Sequence, residues 1–358
     1  MKTLLLLPDL FAGEGGIARI MRLYLKVCVE LAGPGDAVSY LALVDGAGAD
    51  VRLREVVGAG AAHGRGCGRS KLKFVLRGVL AGLRSDRIVC GHVHHLIVAR
   101  LARLFRPSLK YYLVAHGIEV WRPFTPAERI ALRGAERVFC VSEYSRRQIL
   151  RFLPGFDPAR LVLVPNTFDP RFRPSGSLAP RSSGGPRLLL VSRLDAGDPY
   201  KGVDLMIEAM GTLRRWHPAA RLRIVGGGND LPRLEGLVRQ FEVGHMVHFT
   251  GIIDDVALAN EYADCDIFAL PSRKEGFGLV YLEAMSFGKP CLAARAGGAM
   301  EVVNETVGAL VEYGNIEQIV VAVDDLLIHP RDRDAIEQWA RDFSFAVFRG
   351  KLAAALSP

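Results

Sequence analysis

Two glutamates separated by seven residues, Glu275 and Glu283, stand in the run Glu275-Gly-Phe-Gly-Leu-Val-Tyr-Leu-Glu283. Carboxylates accept hydrogen bonds from hydroxyls, so two of them at different depths of a helix start can hold two sugars. Two cations precede them: Arg193 in Ser192-Arg193-Leu194, and Lys201 in Lys201-Gly202. A planar guanidinium fork and a compact ammonium charge together suit a diphosphate. Glycine-rich turns complete the set, one at Val225-Gly226-Gly227-Gly228-Asn229 and one at Gly276-Phe277-Gly278-Leu279. Without side chains, such turns let backbone N–H groups approach a ligand. A hexose, a ribose and a diphosphate make a nucleotide sugar. Taken singly, each of these residues is more commonly a solvated surface group; their order and spacing carry the reading.

These pieces need strands to hold them. Short apolar runs suggest strands at Thr3–Leu7, Val38–Ala42, Arg87–Cys90, Tyr111–Ala115, Val138–Val141 and Leu161–Val164. A second series follows at Leu188–Val191, Leu222–Val225, Val247–Phe249, Ile267–Leu270, Cys291–Ala294 and Ala309–Glu312. Helical periodicity lies between them, as in Ile17–Leu31, Val203–Arg215 and Ile316–Ile328. Such alternation implies parallel sheets covered by helices, an α/β class. All four motif segments then fall at carboxyl ends of predicted strands, where such sheets bind ligands. Proline, glycine and serine crowd residues 170–186, the composition of a linker. The expected plan is two doubly wound Rossmann-like domains facing a central cleft. The first spans 1–169 and is rejoined by a C-terminal helix from about Phe345; the second spans 187–344.

Length agrees, since 358 residues exceed what one core usually organises. Charge is uneven. Residues 1–169 hold 25 basic and 14 acidic side chains, and the remainder holds 21 and 24. Much of the excess lies in Arg65, Arg69, Lys71, Lys73, Arg77 and Arg84, and in Arg100, Arg103, Arg106 and Lys110. A basic half suits an anionic partner, and equally a solvated arginine-rich surface. Six scattered cysteines without CxxC spacing read as reduced core residues of a cytoplasmic protein. The Leu4–Leu7 run ends at Pro8-Asp9, too short for a signal peptide, and no run approaches a membrane span.

With these residues in place, the chain resembles the retaining, family-four glycosyltransferases of the GT-B fold, also known as group 1 glycosyltransferases. The resemblance rests on Ser192-Arg193 with Lys201-Gly202, and on Pro271-Ser272 through Glu283-Ala284-Met285 with its paired glutamates. Val164-Pro165-Asn166-Thr167-Phe168-Asp169 is similar to the family's junction ahead of the linker, and Gly15-Gly16-Ile17-Ala18-Arg19 to its N-terminal glycine loop. The similarity is looser over residues 40–110, where such enzymes read their acceptors.

The resemblance implies a hexose moved from a UDP- or GDP-sugar to a hydroxyl of a glycan, glycolipid or lipid-linked acceptor, with no metal or other cofactor. The pathway class would be polysaccharide or cell-envelope biosynthesis. Arg193 and Lys201 would neutralise the diphosphate, and Glu283 would bind the ribose. Glu275 and His116 would serve the transferred sugar as catalytic residues. Gly15, Gly16, Gly227, Gly276, Phe277, Gly278 and Leu279 would line the donor.

Three decoys are set aside. Asp264-Cys265-Asp266 spells a metal motif but leads into a buried strand. His92-x-His94-His95 lacks companion ligands of metal spacing and suits a helix start. Gly13-x-Gly15-Gly16 is not a dinucleotide fingerprint. Other readings on the same architecture are a sugar-nucleotide epimerase, a pyridoxal-phosphate phosphorylase, or a non-catalytic binding protein. The stretch Lys71–Arg84, with Leu72, Val75, Leu76, Val79 and Leu80 at helical spacing, points to peripheral contact with an anionic membrane at its cytoplasmic face. The alternative is that these side chains pack on the first sheet. Nucleic acid is not expected, because aromatics do not interleave with the basic runs.

Overall fold

The computed structural model describes residues 1–13, 15–46, 52–58, 61–172 and 184–357. It divides into two compact units, Met1–Asp169 with Ala346–Pro358, and Pro170–Phe345. Most of the linker expected at 170–186 lies outside the described residues.

Unit 1 runs β1 (Lys2–Leu7), α1 (Gly16–Glu30), β2 (Ala37–Ala42), α2 (Leu53–Val57), β3 (Ala62–Gly66), α3 (Lys71–Gly82), β4 (Arg87–Cys90), α4 (Leu96–Phe105), β5 (Lys110–Ala115), α5 (Pro126–Gly134), β6 (Arg137–Cys140), α6 (Glu143–Phe152) and β7 (Leu161–Leu163). Its sheet is parallel throughout, in the order β3-β2-β1-β4-β5-β6-β7. The reversal after β1 makes it doubly wound.

Unit 2 repeats the plan with β8 (Arg187–Val191), α7 (Val203–Leu213), β9 (Arg221–Val225), α8 (Leu231–Gln240), β10 (Val247–Gly251), α9 (Asp255–Asp264), β11 (Ile267–Leu270), α10 (Leu279–Met285), β12 (Cys291–Ala294), α11 (Ala299–Val302), β13 (Gly308–Val311), α12 (Ile316–Ile328) and α13 (Arg333–Arg341). Its parallel order is β10-β9-β8-β11-β12-β13. The final helix, α14 (Phe345–Leu356), belongs almost wholly to unit 1. These are the two Rossmann-like units of a GT-B fold.

Continuous apolar strands explain the sheets. Leu4 to Leu7 of β1, all of β4 and all of β11 are buried, as strands covered on both faces must be. One strand escaped the sequence reading. β3, Ala-His-Gly-Arg-Gly, carries no apolar signal because it is an edge strand with one neighbour. Its glycines are steric: a Cβ on Gly64 would lie 2.3 Å from the Tyr40 ring.

Several contacts hold α14 on unit 1. Phe348 meets Tyr24 edge-on, with ring centroids 5.1 Å apart. Arg137 donates to the carbonyls of Ala355 at 2.7 Å and Ser357 at 2.9 Å, which caps the helix end. Arg349 pairs with Glu30 at 2.9 Å. All six cysteines are free and buried. No helix among the described residues is long and apolar enough to cross a membrane.

Candidate functional site

The site in unit 2 is assembled from loops that leave the carboxyl ends of β8, β9 and β11. Ser192 N–H bonds to Val225 O at 3.0 Å, and Leu194 N–H to Gly227 O at 3.0 Å, so the first two loops run side by side. The glycine run makes that approach possible. A Cβ on Gly226 would fall 1.8 Å from Ser192 O. Gly227 itself turns its carbonyl to Leu194. Asn229 fastens the same loop by accepting from Ala196 N–H at 2.8 Å.

Lys201 lies in a short 3₁₀ turn, Pro199–Lys201, that ends at Gly202 with φ 73°. A side chain there would be strained and would also strike Pro271 O at 2.5 Å. Arg273 N–H bonds to Tyr200 O at 2.8 Å, which draws the third loop onto the first. The result is a direct contact: Lys201 Nζ lies 2.9 Å from Glu275 Oε2 across 74 residues of sequence. Both groups keep about a fifth of their surface or less exposed.

The third loop then starts α10 through Gly278, with φ 96°. A Cβ at that position would meet the Tyr281 ring at 2.3 Å. Phe277 turns inward and packs on Phe343, with centroids 5.7 Å apart. Its backbone, with those of Gly278 and Leu279, supplies N–H groups that bond to nothing among the described residues. Such donors suit an anion. Gly276 is buried beneath them, and Gly298 N–H ties the loop back to Glu275 O at 2.7 Å.

Glu283, one turn into α10, is buried and accepts from the Tyr262 hydroxyl at 2.9 Å. Arg193 is largely exposed and pairs with Asp198, which also accepts from the Tyr200 hydroxyl at 2.7 Å. Asp198 sits below the usual carboxylate range: burial, the largest single effect, raises it, but Arg193, the Tyr200 hydroxyl and Lys201 together outweigh that. Sequence reasoning missed Tyr262, Asp198 and Tyr200. Asp198 and Tyr200 were within reach, lying beside Lys201 in the run Asp195-Ala-Gly-Asp-Pro-Tyr-Lys201. Tyr262 is 21 residues from its partner and sits on another helix.

In unit 1, His116 closes β5 and is buried, its Nε2 3.1 Å from Gly91 O. A carbonyl only accepts, so Nε2 carries the proton and Nδ1 is left as an acceptor. Burial lowers its pKa to about 4, so the ring is neutral at pH 7. The Glu119 carboxylate accepts the His116 N–H at 2.6 Å and fixes the turn. Gly15 caps α1 and Gly16 is its first residue; space lies open where a Gly15 Cβ would be. The loop before them is held by buried Asp45, which accepts from Leu10, Phe11 and Ala12 N–H groups at 3.0–3.3 Å. Neither Glu119 nor Asp45 was found by sequence reasoning, because both act on backbone N–H groups, which residue types do not reveal.

The decoys take structural roles. Asp264 pairs with the Arg187 side chain, and Asp266 accepts Arg187 N–H at 2.8 Å, so both carboxylates anchor the start of β8. His92 caps a short turn into α4, with its Nδ1 accepting from His94 N–H at 3.3 Å. His95 bonds to Leu6 O at 3.0 Å. No three His, Cys, Asp or Glu side chains among the described residues gather as a metal site.

Comparison with known proteins agrees with this geometry. Residues 180–343 match the family described as "Glycosyl transferases group 1", and residues 22–172 match "Glycosyltransferase Family 4". A GDP-mannose-dependent alpha-(1-6)-phosphatidylinositol monomannoside mannosyltransferase of Mycolicibacterium smegmatis is 36% identical over 251 residues, 63% of this chain and 64% of that protein. The sulfoquinovosyl transferase SQD2 of Arabidopsis thaliana is 35% identical over 180 residues, 49% of this chain and 34% of that protein. This chain thus spans less than two thirds of the length of these relatives. Among solved structures, Anabaena Alr3699/HepE in complex with UDP superposes with TM-score 0.78 at 20% identity, covering 99% of both chains. Sucrose-phosphate synthase from Thermosynechococcus elongatus gives 0.80 at 20% identity, covering 99% of this chain and 98% of its own.

Proposed function

We propose that this chain, which carries the GT-B fold and is related to the group 1 and family 4 glycosyltransferases, is a retaining glycosyltransferase. It moves a hexose from a UDP- or GDP-sugar to a hydroxyl of a glycan, glycolipid or lipid-linked acceptor, in polysaccharide or cell-envelope biosynthesis. The observation that carries the reading is the contact between Lys201 and Glu275. It joins a phosphate-binding cation to a hydroxyl-binding carboxylate beside three unpartnered amides.

In this reading the donor diphosphate takes Lys201 and the amides of Phe277, Gly278 and Leu279, with Arg193 on its exposed side. Drawing Lys201 towards phosphate frees Glu275 to accept hydroxyls of the transferred sugar. Diphosphate and hexose are then sensed together. Gly15 and Gly16 would offer further backbone donors, and Gly227 would lie under the nucleotide. Glu283, held by Tyr262, takes the ribose. His116 accepts a sugar hydroxyl at Nδ1.

As the bond between the anomeric carbon and the β-phosphate oxygen breaks, negative charge grows on that phosphate. Fixed cations and amides aimed at it lower the barrier. The anomeric carbon gains positive charge, which Glu275 favours. The acceptor oxygen bonds to that carbon on the same face, and its proton passes to the departing phosphate. No metal is assigned a step.

The relatives named for phosphatidylinositol mannoside support a lipid-linked acceptor. So does α3. Phe74, Gly78 and Gly82 face the core, whereas Leu72, Leu76 and Leu80 stand 70%, 56% and 58% exposed. This apolar ridge is flanked by Lys71, Lys73, Arg77 and Arg84. It suits peripheral contact with an anionic membrane.

Thermal stabilisation by a panel of UDP-, GDP- and ADP-sugars, followed by slow donor hydrolysis, tests the reading. Stabilisation by one donor class and a product of unchanged anomeric configuration support it. Wild-type transfer by Glu275→Ala overturns the catalytic assignment. Epimerised nucleotide sugar released without acceptor would favour the epimerase reading instead.

A further inference from the structure

Unit 1 carries a second concentration of positive charge, remote from the residues above. Arg100 and Arg103 of α4, Arg133 at the end of α5, and Arg160 before β7 line one open groove of about 520 Å³, with Ile130 and Glu136. The groove lies at the amino ends of β5 and β6. Arg103 packs on Tyr111, the second residue of β5, at 5.6 Å, and Glu136 directly precedes β6. His116 leaves the carboxyl end of the same β5. Six residues of strand separate the two ends, about 20 Å.

Three of the four guanidiniums, all but that of Arg100, are held by backbone carbonyls rather than by acids. Arg103 Nη1 donates to Gly134 O at 2.6 Å. Arg160 donates to Glu136 O at 3.2 Å and to Arg133 O at 3.0 Å. Arg133 reaches Pro154 O at 3.4 Å. Among the described residues none of the four pairs with a carboxylate, and the acid that lines the groove, Glu136, lies 3.9 Å from Lys110. Three arginines of unit 2 are treated differently: Arg187, Arg223 and Arg233 each meet an Asp or Glu.

Capping the end of α5 does not account for the cluster. A helix C-terminus offers roughly half a negative charge, against four guanidiniums. Each bonded guanidinium also retains N–H groups, since arginine has five and these bonds use one or two. Planar forks fixed on backbone, with spare donors and no counter-charge, form a receptor for tetrahedral oxyanions.

We propose that this groove is a binding site for a phosphate-bearing anion, separate from the nucleotide-sugar residues. The same chemistry serves a soluble phosphate ester or an anionic lipid headgroup. The proposal does not rest on the transfer reading.

Two probes distinguish the sources. Calorimetric titration with inorganic pyrophosphate at low salt reads a soluble ligand. Flotation with vesicles of phosphatidic acid in phosphatidylcholine reads a headgroup. The variant is Arg100→Ala with Arg133→Ala, the two side chains with the least to do in the fold. The expected result is at least tenfold weaker binding of one probe, an unchanged Tm, and partial recovery with Lys at both positions. Loss in the pyrophosphate arm assigns a soluble ligand, and loss in the vesicle arm assigns a lipid. Lys201→Ala removes a pyrophosphate event at the donor residues and leaves the groove event in place. Binding of both probes unchanged in the double variant, or no binding of either by the wild-type chain, overturns the proposal.

Discussion

Units 1 and 2 wind their sheets alike and distribute charge in opposite ways. Unit 1 holds 27 basic and 14 acidic side chains, and unit 2 holds 19 and 24. In unit 2 the cations of the candidate site are already matched, Arg193 by Asp198 and Lys201 by Glu275. In unit 1 the arginines around the α4–α5 groove meet no carboxylate among the described residues, and burial keeps His95 and His116 neutral. A matched cation can exchange its partner for a substrate phosphate without leaving a bare charge behind. An unmatched one holds a standing attraction for any anion that arrives. The first arrangement suits a site that must load and release at every turnover, and the second suits steady attachment.

The comparison breaks most visibly at Lys201. Lys201→Met leaves Glu275 without its cation and, on the proposed reading, takes a positive charge from the departing phosphate. Transfer should fall by about 10²–10³, the usual effect of removing one preorganised donor. Assays of donor hydrolysis and transfer should fall together, and an unchanged rate would dissolve the contrast between the units.

Acid should act on unit 1 first. His92 and His116 lie near pKa 4 and His95 near 3, each lowered chiefly by burial from an ordinary value of 6.5. The unfolded chain therefore binds more protons than the folded one between these limits. Stability is fully present above about pH 6.5 and is lost as pH falls towards 4. By pH 5 the loss should reach about 2 kcal/mol for each of the buried His95 and His116. Calorimetry at pH 7.5 and pH 5 should show one transition moving down more than the other. His116→Asn should flatten that shift.

A smaller effect is expected at Tyr262, whose hydroxyl holds Glu283. Tyr262→Phe leaves a buried carboxylate one donor short. We expect a loss of about 1 kcal/mol in stability and a several-fold rise in donor KM, with kcat little changed. An equal fall in kcat would move Glu283 from the ribose to the reacting sugar.

The smallest effect concerns Asp198. Asp198→Asn releases the exposed Arg193 from its counter-charge, and screening limits what that is worth. Donor affinity should rise about twofold at low salt, and the gain should vanish at 0.5 M salt. A loss of affinity would mean that Asp198 serves to aim Arg193 rather than to hold its charge.

The sheet plan was legible in the chain because parallel strands covered on both faces must be written as unbroken apolar runs. Twelve of the thirteen strands among the described residues were found this way, within a few residues at their ends. β3 was not, since an edge strand need not be apolar. Glu275, Lys201 and Gly278 were legible for a different reason. Each sits in a loop between the carboxyl end of a strand and the helix that follows, where a doubly wound sheet binds its ligands.

Tertiary structure alone decided which charges meet. Nothing in the spacing of Lys201 and Glu275 requires their contact at 2.9 Å; Gly202 and Arg273 produce it by drawing two loops together. The sequence also could not separate Leu72, Leu76 and Leu80, which stand in solvent, from Val75 and Val79, which pack partly buried against the core. It contained the arginines of the groove as scattered surface charges. Their convergence depends on α4 and α5 packing side by side over β5. Hydrophobic pattern is a local property of the chain and survives in one dimension. Pairing of charges is a property of distance, and distance between remote residues exists only once the chain has folded.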